Sequence, residues 1–270
     1  MDGATEGHGV IPFQDLLATG SGALVGFILG LIGGGGSILA VPLLVYVVGV
    51  SSRHGAIGTS WIAVAVSALA NLIGHARAGH VKWRCALVFA LAGTTGAALG
   101  STFGKQFDGE RLLVLFGILM IVIAGLMFWK GSEDGNKDVR LTRATASKLM
   151  PLLMAYGVGV GALAGFFGIG GGVLVGAGIV AATGIPLIFA VGSSFVSGFA
   201  FGLTTAGNYA LSGLIDWVLV AFFIGGGIVG GIGGQMIAGR LAERRQALST
   251  VFAAIVALVG AYVVWRGVSA

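Results

Sequence analysis

Charged residues are scarce in this chain. Of its 270 residues, 9% are charged and 56% are hydrophobic, whereas a soluble globular domain carries about 25% charged residues to cover its surface. The 15 basic and 10 acidic side chains lie in short polar breaks between long apolar runs, a pattern typical of polytopic helical membrane proteins. This distribution excludes a soluble enzyme, a nucleic-acid-binding protein and a secreted disulfide scaffold.

Cysteine is nearly absent, and so are ionisable groups within the apolar runs. Cys85 is the single cysteine, so an intrachain disulfide cannot form and a thiolate metal cluster is not expected. No aspartate, glutamate, lysine or arginine lies near the centre of an apolar run, which leaves a carboxylate proton relay without residues. The chain also lacks a Walker A motif. We therefore expect no cofactor, no metal site and no catalytic residue.

The apolar runs predict an all-α polytopic fold with ten segments. Spanning the hydrocarbon core takes about twenty residues, and the second run of each half is shorter than that. The length of these two runs leaves open whether they cross the membrane or form re-entrant segments. The one long hydrophilic stretch, GSEDGNKDVRLTR, separates the two sets of five segments. The predicted segments are 15–32, 36–50, 56–74, 84–104, 111–130, 149–168, 172–184, 188–208, 217–239 and 247–265.

The two sets of five are related by an internal repeat. Gly58-Thr59-Ser60 matches Gly192-Ser193-Ser194, and at the same offset of 134 residues a stretch that ends at Trp83 matches one that ends at Trp217. Upstream, GALVGF at 22–27 resembles GALAGF at 161–166. The sequence therefore predicts a first repeat over 1–131, a linker over 132–146 and a second repeat over 147–270. An odd number of crossings per repeat would insert them in opposite senses, as in many secondary transporters.

Two kinds of glycine pattern carry different predictions. Glycines four residues apart let helices approach closely; they are Gly22, Gly26, Gly30, Gly96, Gly100, Gly104, Gly157, Gly161 and Gly165. Consecutive glycines instead favour a helix break, because each costs about 1 kcal/mol relative to alanine in a helix. Such a break near the midplane exposes a helix N-terminus that suits an anion, with a purely structural hairpin turn as the alternative. The clusters are Gly33 to Gly36 and Gly170 to Gly172.

Two hydroxyl pairs recur at equivalent positions of the repeats. A single hydroxyl in a transmembrane helix usually bonds back to its own turn, but the recurrence favours a shared role. We expect the hydroxyl pairs and the glycine-broken ends to form a neutral, donor-rich cage around a pseudo-twofold axis near the midplane. The predicted substrate-binding residues are Gly33, Gly34, Gly35, Gly36, Thr59, Ser60, Gly170, Gly171, Gly172, Ser193 and Ser194.

Other polar residues lie toward the segment ends. Asn71, Asn208 and Tyr209 are interpreted as gate or vestibule donors, with interhelical hydrogen bonding as the alternative. Arg77, together with Lys82 and Arg84, would concentrate anions at the cytoplasmic mouth. Trp61, which follows the first hydroxyl pair, is interpreted as a packing residue.

Lysine and arginine counts predict the orientation. Placing both termini outside puts eleven basic residues inside and leaves four outside, as the positive-inside rule favours. The inside set is Arg77, Lys82, Arg84, Lys130, Lys137, Arg140, Arg143, Lys148, Arg240, Arg244 and Arg245. The outside set is Arg53, Lys105, Arg111 and Arg266.

The ordered, duplicated motifs resemble the TauE/SafE family of membrane permeases. Each half carries Gly-Ala-Leu-x-Gly-Phe, a glycine cluster, Gly-(Thr/Ser)-Ser and then Gly-x-(Val/Ile)-x-Trp, and the resemblance covers about residues 16–266. It implies export of sulfite or of a small organosulfur acid such as sulfoacetate. The second repeat departs from the pattern because its loop from Tyr209 to Trp217 lacks the basic residues found after Asn71.

These observations predict a secondary transporter or facilitator that exports a small sulfur-containing anion across the bacterial inner membrane by alternating access. A permease for another small organic anion or for a metal cation is the alternative, although a cation site needs carboxylates, histidines or methionines inside the segments. A membrane enzyme or scaffold is the alternative of another class. The expected partners are the anion and lipid, with no nucleic acid; a homodimer is left open.

Overall fold

The computed structural model describes residues 13–33, 36–129, 139, 141–168, 172–240 and 245–269, and every regular element within them is helical. These residues form ten helical segments. They are α1 (Phe13–Ile28, extended by a π-helical turn over Leu29–Gly33), α2 (Gly36–Val47), α3 (Arg53–Arg77), α4 (Trp83–Gln106), α5 (Gly109–Trp129), α6 (Arg143–Phe167), α7 (Gly172–Thr183), α8 (Leu187–Ala210), α9 (Trp217–Arg240) and α10 (Arg245–Ser269).

The predicted all-α membrane architecture is confirmed at this level. Eight of the segments, all except α2 and α7, are long and apolar enough to cross a membrane. Their outward faces carry large exposed apolar side chains such as Leu91, Val229 and Leu258, which a lipid environment accommodates. Most of the linker expected over 132–146 lies outside the described residues.

Local sequence signals account for the helix ends. Thr142 and Thr145 form a capping box at the start of α6, and Ser52 caps α3 by accepting a hydrogen bond from the Gly55 N–H at 3.0 Å. The α6 helix ends at Gly168, whose φ of +74° is a left-handed conformation that glycine adopts without strain. At each glycine cluster one helix therefore ends and the next one begins.

Glycine contacts pair helices from the two halves of the chain. A Cβ added at Gly26 would overlap the Gly227 carbonyl oxygen on α9, and one added at Gly161 would overlap the Gly93 carbonyl oxygen on α4. The neighbouring contacts advance in the same direction along both members of each pair, so α1 runs parallel to α9 and α6 runs parallel to α4. The predicted close packing through spaced glycines is confirmed at these two interfaces.

These contacts favour a different repeat register from the one that the GALVGF motif suggests. Gly26 contacts Gly227, and 134 residues before Gly227 the equivalent Gly93 contacts Gly161. Under the offset of 134 residues, these contacts pair Gly26 with Gly161, one helical turn away from the sequence match of Gly22 with Gly161. The reason is that glycines spaced by four occur along both helices, so a shift of one turn preserves most of the motif.

Two further helix pairs are antiparallel. On α3 and α8, Gly58 lies against Tyr209, Ala65 against Gly202, and His75 against Gly192. On α5 and α10, Gly117 lies against Gly260. We call the end of the bundle where α3 begins and α8 ends the Lys105 end, and the end where α3 ends and α8 begins the Lys82 end.

Candidate functional site

The polar residues of interest lie mostly along the antiparallel α3–α8 pair. Thr59 and Ser60 lie in the second turn of α3, at the Lys105 end, while Ser193 and Ser194 lie in the second turn of α8, at the Lys82 end. Because Gly192 faces His75 and Gly202 faces Ala65, Ser194 is level with about residue 73 of α3. This level is about 20 Å from Ser60 along the helix.

The structure therefore does not bring the two hydroxyl pairs together in one midplane cage. Both pairs follow a helix start, and the two helices run in opposite directions, so the pairs lie toward opposite ends. Sequence matching shows that two positions are equivalent but gives no distance between them. Each pair instead lies near its own end of the bundle.

Ser60 and Ser194 make the same local hydrogen bond. The Ser60 hydroxyl donates to the Ile57 carbonyl at 2.8 Å, and the Ser194 hydroxyl donates to the Val191 carbonyl at 2.8 Å. Both side chains are buried. These are the own-turn bonds that hydroxyls commonly form in transmembrane helices, and each hydroxyl oxygen keeps acceptor capacity.

Thr59 and Ser193 occupy equivalent positions but differ in their partners. Ser193 Oγ accepts a hydrogen bond from the Lys82 backbone N–H at 2.9 Å, which fastens the loop after α3 onto α8. Thr59 Oγ1 is buried and has no hydrogen-bond partner within the described part of the chain. We call the Lys82–Ser193 bond the latch.

The Lys82 end brings two histidines and a lysine against α8. His75 contacts the Phe195 ring at a centroid distance of 5.3 Å and the His80 ring at 5.8 Å. The Lys82 ammonium lies 4.7 Å from the centroid of the Phe189 ring. The predicted mouth residue Arg77 is exposed in the last turn of α3, so this end is basic around the latch.

The Lys105 end is organised by a lysine that sequence reasoning assigned only to a loop. Lys105 Nζ donates to Asn208 Oδ1 at 2.7 Å, to the Asn208 carbonyl at 3.1 Å and to Ser212 Oγ at 2.8 Å. Asn208 Nδ2 in turn donates to Ser101 Oγ at 2.7 Å and to Thr102 Oγ1 at 3.0 Å. Of the two readings of Asn208, these contacts are those of an interhelical hydrogen-bond residue between α4 and α8.

The other expected gate residues lie in different settings. Asn71 is buried and its Nδ2 donates to the Ser67 carbonyl at 2.8 Å. Tyr209 is fully buried, with its ring 5.9 Å from Lys105 Nζ. Tyr209 therefore lies between α3 and α8, where Gly58 packs against it, whereas Asn71 bonds within its own helix.

Carboxylates are found at the Lys105 end but are engaged locally. Glu110 accepts a hydrogen bond from Arg53 at 2.8 Å. Asp108 accepts hydrogen bonds from the backbone N–H groups of Arg111 and Glu110, and the bond from Arg111 is the main reason that the pKa of this exposed carboxyl is below its usual range. This end is thus mixed in charge. Across the described ranges, no group of three or more histidine, cysteine or acidic side chains could hold a metal ion.

The glycine clusters are described in part. Gly34, Gly35, Gly170 and Gly171 lie outside the described residues. Gly36 packs back on α1, where an added Cβ would lie 2.7 Å from the Val25 carbonyl oxygen. Gly172 begins α7 and is buried. A Cβ added at nearby Gly168 would lie 2.8 Å from Ile57, so the end of α6 lies beside the turn of α3 that precedes Thr59.

Several buried donors in α3 and α8 lack a partner among the described residues. Besides Arg53 Nε at the start of α3, they are Thr59 Oγ1, Trp61 Nε1, Ser197 Oγ, Thr205 Oγ1 and Tyr209 Oη. Leaving such a group unsatisfied costs about 1–3 kcal/mol, and buried polar groups in native proteins are nearly always hydrogen-bonded. Sequence reasoning did not single out Ser197 or Thr205. The usable signal was the recurrence of hydroxyl residues at Ser193, Ser197 and Thr205, spaced by four and eight positions along α8.

Comparison with known proteins gives the family. Residues 18–263 match the model of the family described as "Sulfite exporter TauE/SafE". A probable membrane transporter protein of Xylella fastidiosa (strain Temecula1) is 49% identical over 254 residues, covering 94% of this chain and 96% of the relative. The probable membrane transporter protein YunE of Bacillus subtilis is 26% identical over 264 residues, covering 92% and 96%.

The match extends beyond bacteria but not to a solved structure. The probable membrane transporter protein MJ0441 of Methanocaldococcus jannaschii is 29% identical over 174 residues, covering 61% of this chain and 62% of the relative. No solved structure matches the chain. The eight candidate spans and the nearly full-length family match lead to one conclusion: this chain is a multi-pass membrane transporter that belongs to the TauE/SafE family.

Proposed function

We propose that this transporter exports a small sulfur-containing oxyanion, such as sulfite or sulfoacetate, across the bacterial inner membrane. The observation that carries the proposal is the chemistry of the α3–α8 interior, which offers buried hydroxyl and indole donors while neither helix contains a carboxylate. Such a lining suits an anion that accepts hydrogen bonds better than a metal cation. The family description names sulfite export.

The proposed architecture is a pair of inverted repeats. It is supported by the antiparallel packing of α3 against α8 and of α5 against α10, which occupy equivalent places in the two halves. It is also supported by the recurrence of the α1–α9 contacts in the α6–α4 pair. Inverted repeats of this kind provide two related closures around one substrate pathway.

The proposed mechanism is alternating access between the two ends of the α3–α8 pair. In this scheme the latch between Lys82 and Ser193 closes the cytoplasmic mouth, while the equivalent contact around Thr59 closes the outer mouth in the opposite state. Each loop would separate from the helix that it contacts when the start of that helix moves away. Arg77 and Lys82 would raise the local anion concentration at the cytoplasmic side.

The membrane potential is a sufficient source of energy for export. A potential that is negative inside is worth about 2.3 kcal/mol per charge per 100 mV, so a dianion leaving the cell gains about 4.6 kcal/mol at 100 mV. A proton-coupled carboxylate is then unnecessary. We propose an electrogenic facilitator, with its N- and C-termini outside.

The test is sulfite flux in proteoliposomes with a potassium–valinomycin potential of either sign. We expect the direction of flux to follow the potential and to be reduced in a Ser60→Ala, Ser194→Ala variant. Thr95→Ala is the matched control, because Thr95 is exposed and its hydroxyl bonds only to its own turn. Flux that ignores the potential would contradict electrogenic export, and folded protein that moves neither sulfite nor sulfoacetate would contradict the substrate class. Transport of small carboxylates by such protein would favour the alternative of another organic anion.

A further inference from the structure

Four buried donors lie at one level of the α3–α8 pair, near the Lys105 end. Gly58 faces Tyr209 and Ala65 faces Gly202, so residues 58–62 of α3 are level with residues 205–209 of α8. Within these stretches lie Thr59, Trp61, Thr205 and Tyr209. Trp61 and Tyr209 also belong to the same packed cluster of buried side chains. We call these four residues the donor quartet.

The quartet is closed to solvent and chemically uniform. The exposed fractions are 1% for Thr59 and 0% for Trp61, Thr205 and Tyr209. Their side-chain N and O atoms have no hydrogen-bond partner in the described parts of the chain. The indole N–H can only donate, and each hydroxyl has a proton to donate. Such a set is complementary to a small ligand rich in acceptor oxygens.

The charge next to the quartet favours an anion. Lys105 Nζ lies 5.9 Å from the centroid of the Tyr209 ring and is held there by Asn208 and Ser212. The nearby carboxylate of Asp216 is occupied at the start of α9, where Oδ1 accepts hydrogen bonds from the Val218 and Leu219 N–H groups. A positive charge therefore approaches the quartet from the Lys105 side.

Among the residues that the structure describes, the positions equivalent to Thr59 and Trp61 at the other end of the helix pair do not form a second such group. At the position equivalent to Thr59, Ser193 already accepts the Lys82 N–H. At the position equivalent to Trp61, Phe195 has no polar side-chain atom. Ser197 Oγ is a further buried hydroxyl without a partner in the described residues, but it lies apart from these equivalent positions, so the grouping of four such donors is found at the Lys105 end.

We infer that Thr59, Trp61, Thr205 and Tyr209 form an occluded binding site for a small oxyanion. The inference rests on the proposed function and gives its substrate a location between α3 and α8. It extends the binding role from the two hydroxyl pairs to four donors that lie near one level of the α3–α8 pair. Trp61 becomes a ligand residue as well as a packing residue.

The test is ligand-induced thermal stabilisation of the purified full-length protein in detergent. Sodium sulfite and sulfoacetate are titrated against sodium chloride at matched ionic strength, because a ligand that binds only the folded state raises Tm with its concentration. The variants are Thr205→Val and Tyr209→Phe, which remove only the hydroxyls. Thr204→Val is the matched control, since its hydroxyl donates to the Ala200 carbonyl in its own helix.

We expect the two quartet variants to keep or raise the Tm of the ligand-free protein, because each removes an unsatisfied buried hydroxyl. Their apparent affinity for the oxyanion should fall by at least about tenfold, the effect of losing one hydrogen bond to a charged ligand. The control should bind as the unsubstituted protein does. Unchanged affinity in both quartet variants would overturn the inference, and so would equal stabilisation by chloride or no stabilisation by either oxyanion.

Flux measured on the same variants separates this inference from the proposed function. Sulfite flux that persists in Thr205→Val and Tyr209→Phe, together with unchanged binding, would leave the export proposal standing and remove the site. Binding that depends on the quartet in a protein without flux would keep the site and remove the export proposal.

Discussion

The two ends of the α3–α8 pair have equivalent parts but different contacts. At the Lys82 end, the loop after α3 is fastened by the latch, and a Cβ added at Gly192 would overlap the His80 carbonyl oxygen. At the Lys105 end, a Cβ added at Gly58 would lie 3.1 Å from the Leu214 carbonyl oxygen, and Thr59 has no counterpart of the latch among the described residues. The first end is packed more tightly than the second.

This difference shows that residues at matching positions of the two halves can make unequal contacts. The two ends share the helix starts, the facing glycines and the positions of the hydroxyls. They differ in the hydrogen bond from the Lys82 N–H to the Ser193 hydroxyl and in the distance between the loop and the facing glycine. The two ends also differ in charge. Lys82 and Arg77 lie at one end, whereas Asp216 occupies the position equivalent to Lys82 at the other. In the alternating-access proposal, this structure has the cytoplasmic side closed.

The largest expected effect comes from adding a methyl group at each helix contact. Gly192→Ala should push the loop after α3 away from α8, because its Cβ would meet backbone, and we expect a loss of about 1–3 kcal/mol of stability, typical of overpacking. Gly58→Ala should cost less, since its nearest contacts lie at 3.0–3.2 Å. Thermal unfolding of both variants checks the order. Equal losses would mean that the two ends are packed alike in the membrane.

Removing the latch hydroxyl should have a smaller effect. Ser193→Ala leaves the Lys82 N–H without its acceptor. Because this hydrogen bond is only partly buried and water can reach the N–H, we expect a loss of about 1–2 kcal/mol, in the lower part of the range for an unsatisfied donor. Hydrogen exchange at the Lys82 amide should therefore accelerate. Thr59→Val is the paired variant at the other end and should leave stability and loop exchange nearly unchanged. If Thr59→Val destabilises as much as Ser193→Ala, Thr59 has a partner that balances the latch.

The smallest effect concerns the cluster that holds the Lys105 end. Lys105→Met removes the donor to Asn208 and Ser212, and we expect a loss of about 1 kcal/mol because the lysine is only partly buried. A double-mutant cycle with Asn208→Ala should give a coupling of about 0.5–1.5 kcal/mol. Additive losses would show that the two side chains act independently.

Much of the fold could be predicted from apolar runs and glycine breaks. The ten segments agree with the ten helices because each run is bounded by a charged loop or a glycine turn, as at Gly168. The alignment of α1 with α6, its counterpart in the second half, could not be predicted from the sequence, because glycines spaced by four fit two alignments. The distance between the two hydroxyl pairs could not be predicted either. Ser60 and Ser194 are equivalent in sequence, yet antiparallel packing places them about 20 Å apart along the α3–α8 pair.

The site was harder to predict than the fold because burial and partnership depend on neighbours from the other half. Trp61 looks like a packing residue in sequence, and it is fully buried, but its indole N–H has no acceptor in the described residues. Lys105 looks like a loop residue, although its ammonium reaches α8. Neither property can be seen in the local sequence.

The glycine contacts between α1 and α9, and those between α4 and α6, also imply an order of assembly during biosynthesis. Gly26 and Gly227 meet across 201 residues of chain, whereas Gly93 and Gly161 meet across 68. At about 5–20 residues per second, α1 waits roughly 10–40 s after its synthesis for the helix that covers its glycine face. The waiting time for the α4–α6 contact is about three times shorter, because fewer residues separate its two glycines. During translation the α4–α6 pair is therefore assembled while α1 still faces lipid or the insertion machinery.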